Sequence, residues 1–553
     1  MEVTGRAAIA LAVAACGSPV APGASDLATL GALGLRAMDP AILETTTKFL
    51  SSNELTGRGP GTEGGMRAEQ HVADQLARIG LQPAGDHGTF FQEVPLRQAR
   101  LIEAESSLVF HAGGTDIGLA HGRDAMLWPE PRDANVALER RVVFAGYGIA
   151  RPDLGYDDLA GVDVKDAIVV IFGGAPRTLG GRALSSTVHA VLADTDPRSV
   201  VLKARGARAV IVVRDPVHAQ VVSFEKFTQI APRVSMAWLE GGVPASLPLL
   251  PTVSISEAAF ERVLAATPGS PHAHALWAEL DRGAPSHIEI AATATLRIRS
   301  ELHDLVARNV LARLSGGDLA NETIVYSAHV DHLGIGEPVD GDPIYHGAID
   351  DAVGVAGIIE IARGFAALPV RPRRSILFLG ATGEEYGLLG SDYFVHHTPL
   401  QDLVADINID ALTPNWEPFD IIPLGIEHST LERNTRAAAR ASGFVISPDP
   451  QPEEEFFIRS DQYSFVQAGV PSVFPVAGYR DAHGEPATNR AIGDAWASQH
   501  YHRPSDIWRP EYRAVWAIKE ARVDFLIGLS VATETERPRW NEGDVFAPPR
   551  RSP

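Results

Sequence analysis

Short stretches of this sequence set carboxylates and imidazoles where they could act together. "SAHVDHLG" carries His329 and Asp331, "HGAIDDAVG" carries Asp350 and Asp351, and "TGEEYG" carries Glu384 and Glu385. "INIDAL" adds Asp410, and "QHYHRPSDIW" adds His500 and His502. Oxygen and nitrogen donors without thiolates suit zinc, cobalt or manganese. Carboxylates crowded together repel one another unless cations neutralise them. A catalytic zinc uses three protein ligands and a water, so this set is over-supplied for one metal; two metals sharing a carboxylate account for the surplus. Glu384 and Glu385 are neighbours, and adjacent side chains on a turning backbone point in different directions. One can face a metal while the other faces water, and the residues alone leave open which does which.

These groups need elements that bring them together. "NETIVYSAH" reads as an apolar strand ending at His329, "RSILFLGATGEE" as a second strand, and "LVADINIDAL" as a third. Between the first two, "AVGVAGIIEIARGFAAL" reads as a helix with Ile358, Ile359, Ala362, Phe365 and Ala366 on one side. Buried, non-alternating strands separated by a helix predict an α/β fold with a mixed, mostly parallel sheet flanked by helices. Ligands bind such sheets beyond the carboxyl ends of the strands, where these residues gather. Upstream, "GTEGGMRAEQHVADQLARIGLQP" predicts a helix with Val72, Leu76 and Ile79 on one face, stopped by Gly80. From about residue 105 to 300 the texture changes to short β-branched runs such as "RRVVFAGYGI", "DAIVVIFGG" and "GARAVIVV".

At 553 residues the chain is long enough for more than one core. Its net charge of −21, with no basic block, excludes a nucleic-acid partner. The apolar run Ala7–Ala15 ends in "VAACG", and Cys16 is the one cysteine in the sequence. That pattern is similar to a lipoprotein lipobox, with a plain secretory signal as the alternative; both predict an exported protein, periplasmic or at the outer membrane, touching membrane only through a lipid anchor. No cysteine pair means no intrachain disulfide. The organisation expected is a leader over 1–16, a linker over 17–40, a site-bearing domain over 41–104 and 294–535, an inserted β-rich domain over 105–293, and a loose tail over 536–553.

The order H-x-D, G-A-x-D-x-A-x-G, E-E, D and Y-H-x-P-x-D resembles the co-catalytic dizinc exopeptidase family, which includes bacterial leucyl aminopeptidases, glutamate carboxypeptidases and the transferrin receptor. "LTGRGPGTEGGMRAEQHVADQLARIGLQP" is similar to the segment that opens the peptidase domain of its bacterial members. "GYGIARPDLGYDDLAGVDVKDAIVVIFGG" resembles the protease-associated domain inserted in many of them. The resemblance implies a zinc exopeptidase fold and two zinc ions, with cobalt or manganese as substitutes. His329 and Asp410 would complete one metal site, Glu385 and His502 the other, and Asp350 would bridge them, with Asp351 as an alternative. Asp331 would orient the His329 imidazole, and Glu384 would act as general base on the attacking water. Ile349 stands where the family often shows Asp, and Gln462 in "SDQYSF" where it shows His. Arg459, Ser460 and Asp461 fall on the substrate side by the same resemblance, although Ser460 or Asp461 would equally cap a helix. His332 and His500 lie near enough in sequence to contact substrate.

The function implied is hydrolysis of N-terminal peptide bonds in peptide substrates. A related dizinc carboxypeptidase or amidohydrolase is the alternative, and a non-catalytic receptor on the same fold a third reading.

Overall fold

The computed structural model describes residues 24–231 and 233–547, so the leader and lipobox expected at 1–16 lie outside the described residues. Four parallel strands form the centre of the main sheet: β1 (Leu319–His329), β2 (Arg374–Ala381), β3 (Leu403–Asn408) and β4 (Ser472–Ala477). They lie in the order β2-β1-β3-β4, with Tyr326 opposite Phe378 on one side and Ile407 on the other. Every residue of β2 and β3 is buried, as expected of strands covered on both faces. Antiparallel strands widen the sheet. Asp420–Leu424 adds to β4, while His287–Leu314, Phe91–Leu101 and Val234–Glu240 follow one another outward from β2.

Helices α1 (Val353–Ala366) and α2 (Ala514–Thr533) pack on this sheet. Phe365 of α1 meets Phe525 of α2 at a ring distance of 4.8 Å, and Tyr326 stacks on Phe378 at 5.6 Å. Each such fully buried aromatic contributes roughly 1.5–3 kcal/mol of transfer free energy. The linker expected over 17–40 is corrected from residue 24 onward. Ala24–Ala37 is a helix that buries Leu27 against α1 and α2. Its glycines serve close packing: a Cβ at Gly34 would stand 2.6 Å from Phe525 Cζ and 2.7 Å from the Gly364 carbonyl oxygen. The tail is corrected too, over 536–547. Trp540 Nε1 donates to Gly469 O at 2.9 Å, and Arg537 donates to Leu403 O at 2.8 Å. Residues 548–553 lie outside the described chain.

A second sheet runs Ala125–Leu127, Thr252–Ile255, Ala209–Val213, Ile168–Phe172, Asn135–Ala145 and then the first half of His287–Leu314. Ser107–Ala112 and Thr115–Leu119 close its far edge. Phe110, Phe144, Phe172 and Phe260 fill a core of its own. The expected boundary near 293 falls inside the long strand, which holds no glycine or proline to interrupt it and passes from one sheet to the other. Val234–Glu240, expected in the insert, pairs with the main sheet instead. Among the described residues, no helix is long and apolar enough to cross a membrane.

Helix α2 buries two acids one turn apart, Glu520 and Asp524. Glu520 accepts from Thr413 N at 2.9 Å, whereas both Asp524 oxygens lack a partner. Burial pushes Glu520 up to about 8 from 4.5 and holds Asp524 well above the carboxylate range, with Glu520 adding to the latter. The folded chain thus holds protons that the unfolded chain releases. Stability from this pair is complete below the unfolded range and falls as pH rises through it toward 8. Glu520→Gln is expected to flatten the decline in thermal midpoint between pH 5 and 8, removing up to about 1.4 kcal/mol per pH unit. Identical slopes for the two proteins would contradict this.

Candidate metal centre

The carboxyl ends of the parallel strands carry the expected residues. His329 is the last residue of β1, and Asp410 follows the end of β3. Asp350 and Asp351 precede α1 and are joined by a cis peptide bond. Glu384 and Glu385 occupy a short 3-10 turn after β2, between Gly383 at φ 71° and Gly387 at φ 105°. Both glycines take left-handed backbone that a side chain would resist, which lets the two glutamates diverge within one tight turn. His502 arrives from a loop at φ 54°, and Ala411, next to Asp410, sits at φ 68°. Left-handed non-glycine residues cost free energy, and their clustering at one place marks a site that the surrounding structure must hold.

Asp350 lies at the centre. Its Oδ1 is 3.2 Å from His329 Nε2, and its Oδ2 is 3.2 Å from His502 Nε2. Asp410 Oδ1 stands 3.7 Å from His329 Nε2, and Glu385 Oε2 stands 3.0 Å from His502 Nε2. Glu384 Oε2 is 4.0 Å from His329 Nε2, at the edge of the cluster. His329 Nε2 and Glu385 Oε1 are buried without a hydrogen-bond partner, although oppositely charged atoms surround them. Burial disfavours charge on both imidazoles, but Glu384, Asp350 and Asp410 outweigh it at His329, and Glu385 does so at His502, so both are held well above the usual histidine range. A cluster that draws protons onto its imidazoles, and leaves donor atoms orphaned, fits divalent cations in place of those protons. Two sets of donor atoms lie close enough together to hold an ion: His329 with Asp351 and Asp410, and His329 with Asp350 and Glu385.

The supporting residues differ from expectation in instructive ways. His329 Nδ1 is 3.2 Å from the backbone carbonyl of Asp331, whereas the Asp331 carboxylate is 4.0 Å away. The carbonyl orients the ring, and the carboxylate accepts from Glu384 N at 3.2 Å, so Asp331 also ties down the Glu384 turn. Burial pushes Asp331 up to about 7. Asp351 stands near His329 and Asp410. Its oxygens accept from Gly354 N at 2.9 Å, Ala411 N at 3.0 Å and His329 N at 3.3 Å, so backbone N–H groups surround this carboxylate.

Two residues that the sequence left without a role, Asp506 and Arg58, prove close to the centre, and His332 sits differently from expectation. Asp506 accepts from Ile349 N at 3.1 Å and Asp350 N at 3.2 Å, fixing the central carboxylate; the "YHRPSD" pattern contained it. Arg58 is buried beneath the site and donates to Val330 O, Leu50 O, His346 O and Gly347 O. His332 is fully buried with Nδ1 2.5 Å from Glu385 Oε1, so it touches the cluster and does not face substrate. His500 pairs with Ser505 and stays outside.

Residues 309–526 match the model of peptidase family M28. Over 220 residues, 38% of this chain and 42% of its relative, the protein is 26% identical to a probable leucine aminopeptidase 2 of Aspergillus oryzae. Over 415 residues it is 23% identical to a glutamate carboxypeptidase 2 homolog of Caenorhabditis elegans, covering 67% of this chain and 51% of that one. The chain thus spans about half or less of the length of these curated relatives. Among solved structures, an aminopeptidase from Aneurinibacillus sp. strain AM-1 superposes over 94% of this chain and 98% of its own at TM-score 0.49 and 20% identity.

Two cavities open onto the cluster. A pocket of about 290 Å³ includes Asp350 and Asp410 and has aromatic walls of Trp416, Phe456, Phe474, Tyr479 and Trp496. A wider cleft of about 870 Å³ includes His502 and Tyr386 and runs between the two sheets past Arg100 and Arg233. Arg459 and Ser460 line the aromatic pocket. Asp461 does not; it lies buried ahead of helix Gln462–Gln467 without making a capping bond, and burial raises it to about 6. Gln462 is structural, accepting from Asn408 Nδ2 at 2.7 Å and donating to Phe457 O at 2.7 Å.

Proposed function

We propose that the protein is an exported zinc metallo-exopeptidase that removes N-terminal residues from peptides. One observation carries this reading: the two oxygens of Asp350 face two separate imidazoles, His329 and His502, each with a further carboxylate beside it. Zinc at those two positions would supply Lewis acidity, lowering the pKa of water and polarising the scissile carbonyl. The second sheet is the protease-associated insert of this reading.

The residues of the chain do the rest. Burial, with Glu385 and Asp410 adding, raises the Glu384 carboxyl well above its ordinary range against the pull of His329, which makes it a stronger base. Glu384 takes a proton from water as the water oxygen bonds to the carbonyl carbon. When the C–N bond breaks, the same proton passes to the leaving nitrogen. The aromatic pocket takes the first side chain, and Asp410, which lines it, attracts the free α-amine. The cleft beyond His502 leaves room for the departing peptide.

The purified protein is expected to carry about two zinc ions per chain. A chelator should abolish hydrolysis of aminoacyl anilides, and added zinc should restore it. Hydrolysis that persists after complete demetallation rules out the mechanism. One observation favours a carboxypeptidase instead: the Arg459 guanidinium lines the same pocket and could hold an α-carboxylate. Acetylating the substrate amine blocks the first activity and spares the second, while amidating the substrate carboxylate does the opposite.

A further inference from the structure

Glu455 joins two short 3-10 turns, Pro452–Glu454 and Phe456–Ile458, at φ 54°. Left-handed backbone is unfavourable at a residue with a Cβ, so something must hold it there. Its neighbours Glu454 and Phe456 line the aromatic pocket, while its own carboxylate meets the second sheet's helices. His218 Nε2 is 3.4 Å from Glu455 Oε2, and His218 Nδ1 contacts the buried Asp215. Asp215 is itself anchored, accepting from Val217 N and His218 N at the start of helix Pro216–Val221. His189 Nδ1 stands 3.6 Å from the other Glu455 oxygen. Burial disfavours charge on His218, but Asp215 and Glu455 outweigh it and raise the ring to about 10, so it is cationic at neutral pH.

The contact continues toward the metal centre. Arg459 donates to Glu454 O at 3.2 Å and to Tyr501 OH at 3.1 Å, and Tyr501 stacks on His502 at a ring distance of 3.9 Å. The pocket wall is therefore held at one end by the cluster and at the other by the second sheet.

We propose that His218, by gripping Glu455, is a positioning residue through which the inserted sheet sets the wall of the first-residue pocket and hence side-chain selectivity. This rests on the aminopeptidase reading. Without the grip, Glu455 relaxes from its left-handed backbone, and Glu454 and Phe456 shift with it. Large first residues, which need the Phe456 face, suffer; alanine, which does not reach it, is spared.

The test uses the full-length zinc-loaded protein and Ala-, Leu- and Phe-anilides. His218→Gln and Glu455→Gln are each expected to raise KM for the Leu and Phe substrates about tenfold, leaving kcat, the Ala substrate and zinc content within about twofold. The double variant should be no worse than either single one, since both remove one contact. Unchanged selectivity, equal losses for all three substrates, or additive losses in the double variant overturn the proposal. A wild-type protein inert toward every anilide removes the aminopeptidase reading and this proposal together, whereas an active wild type with unaltered variants removes this proposal alone.

Discussion

Glu384→Gln is expected to leave a folded protein with its full metal complement and a kcat lower by about 10²–10⁴-fold, with KM little changed. The replacement is isosteric and keeps the backbone N–H that donates to Asp331. Glu384 is absent from the donor groups close enough to hold an ion, and its nearest imidazole is 4.0 Å away. Glu385 belongs to such a group, with Oε2 3.0 Å from His502 and Oε1 2.5 Å from His332. His502 and His332 together outweigh the burial of Glu385 and the Asp350 charge, holding it down at about 2, so it is ionised and ready to bind a cation. Glu385→Gln is therefore expected to weaken metal binding first and to lose activity as a consequence. Elemental analysis beside steady-state kinetics separates the two. Metal loss in Glu384→Gln with retention in Glu385→Gln would exchange their roles.

That the sequence singled out the residues that gather here, but not all that holds them, has a physical cause. His329, Asp350, Glu385, Asp410 and His502 sit at strand ends or in short loops, where residue type and spacing report the chemistry directly. Their supports act through the backbone. Asp331 and Asp506 accept from main-chain N–H groups, and His329 is oriented by a carbonyl, so no side-chain pattern announces the pairing. Arg58 reaches the site from more than 270 residues away in sequence, a separation no local pattern spans. The fold shows the same division. Buried apolar runs identified the parallel strands, yet the Ala- and Gly-rich stretch before Pro40 resembled a linker because its glycines make room for Phe525 and Gly364, which are distant in the chain. The domain boundary near 293 vanished into a strand that belongs to both sheets.

Arg58→Met is expected to cost about 3–5 kcal/mol of folding stability, the largest loss from any single substitution considered. The Arg58 side chain is buried and held at φ 52°, and its guanidinium donates at 2.8 Å to Val330 O, 2.7 Å to Leu50 O, 2.6 Å to His346 O and 3.0 Å to Gly347 O. Burial alone lowers its pKa, and the charges of Asp331, Asp351, Asp350 and Asp506 act against that fall. Methionine fills much of the volume but strands those carbonyls without a donor and leaves the carboxylates without their supporting cation. Lysine restores charge without the fork that reaches all four carbonyls, so Arg58→Lys should recover only part of the loss. Denaturant unfolding with and without zinc gives a further check. Zinc neutralises the same carboxylates, so the penalty of Arg58→Met should be smaller in the metal-loaded protein than in the metal-free one. A penalty below about 1 kcal/mol would mean that the carbonyls find other donors, and a penalty unchanged by zinc would mean that Arg58 acts through the loops alone and not through the charge of the site.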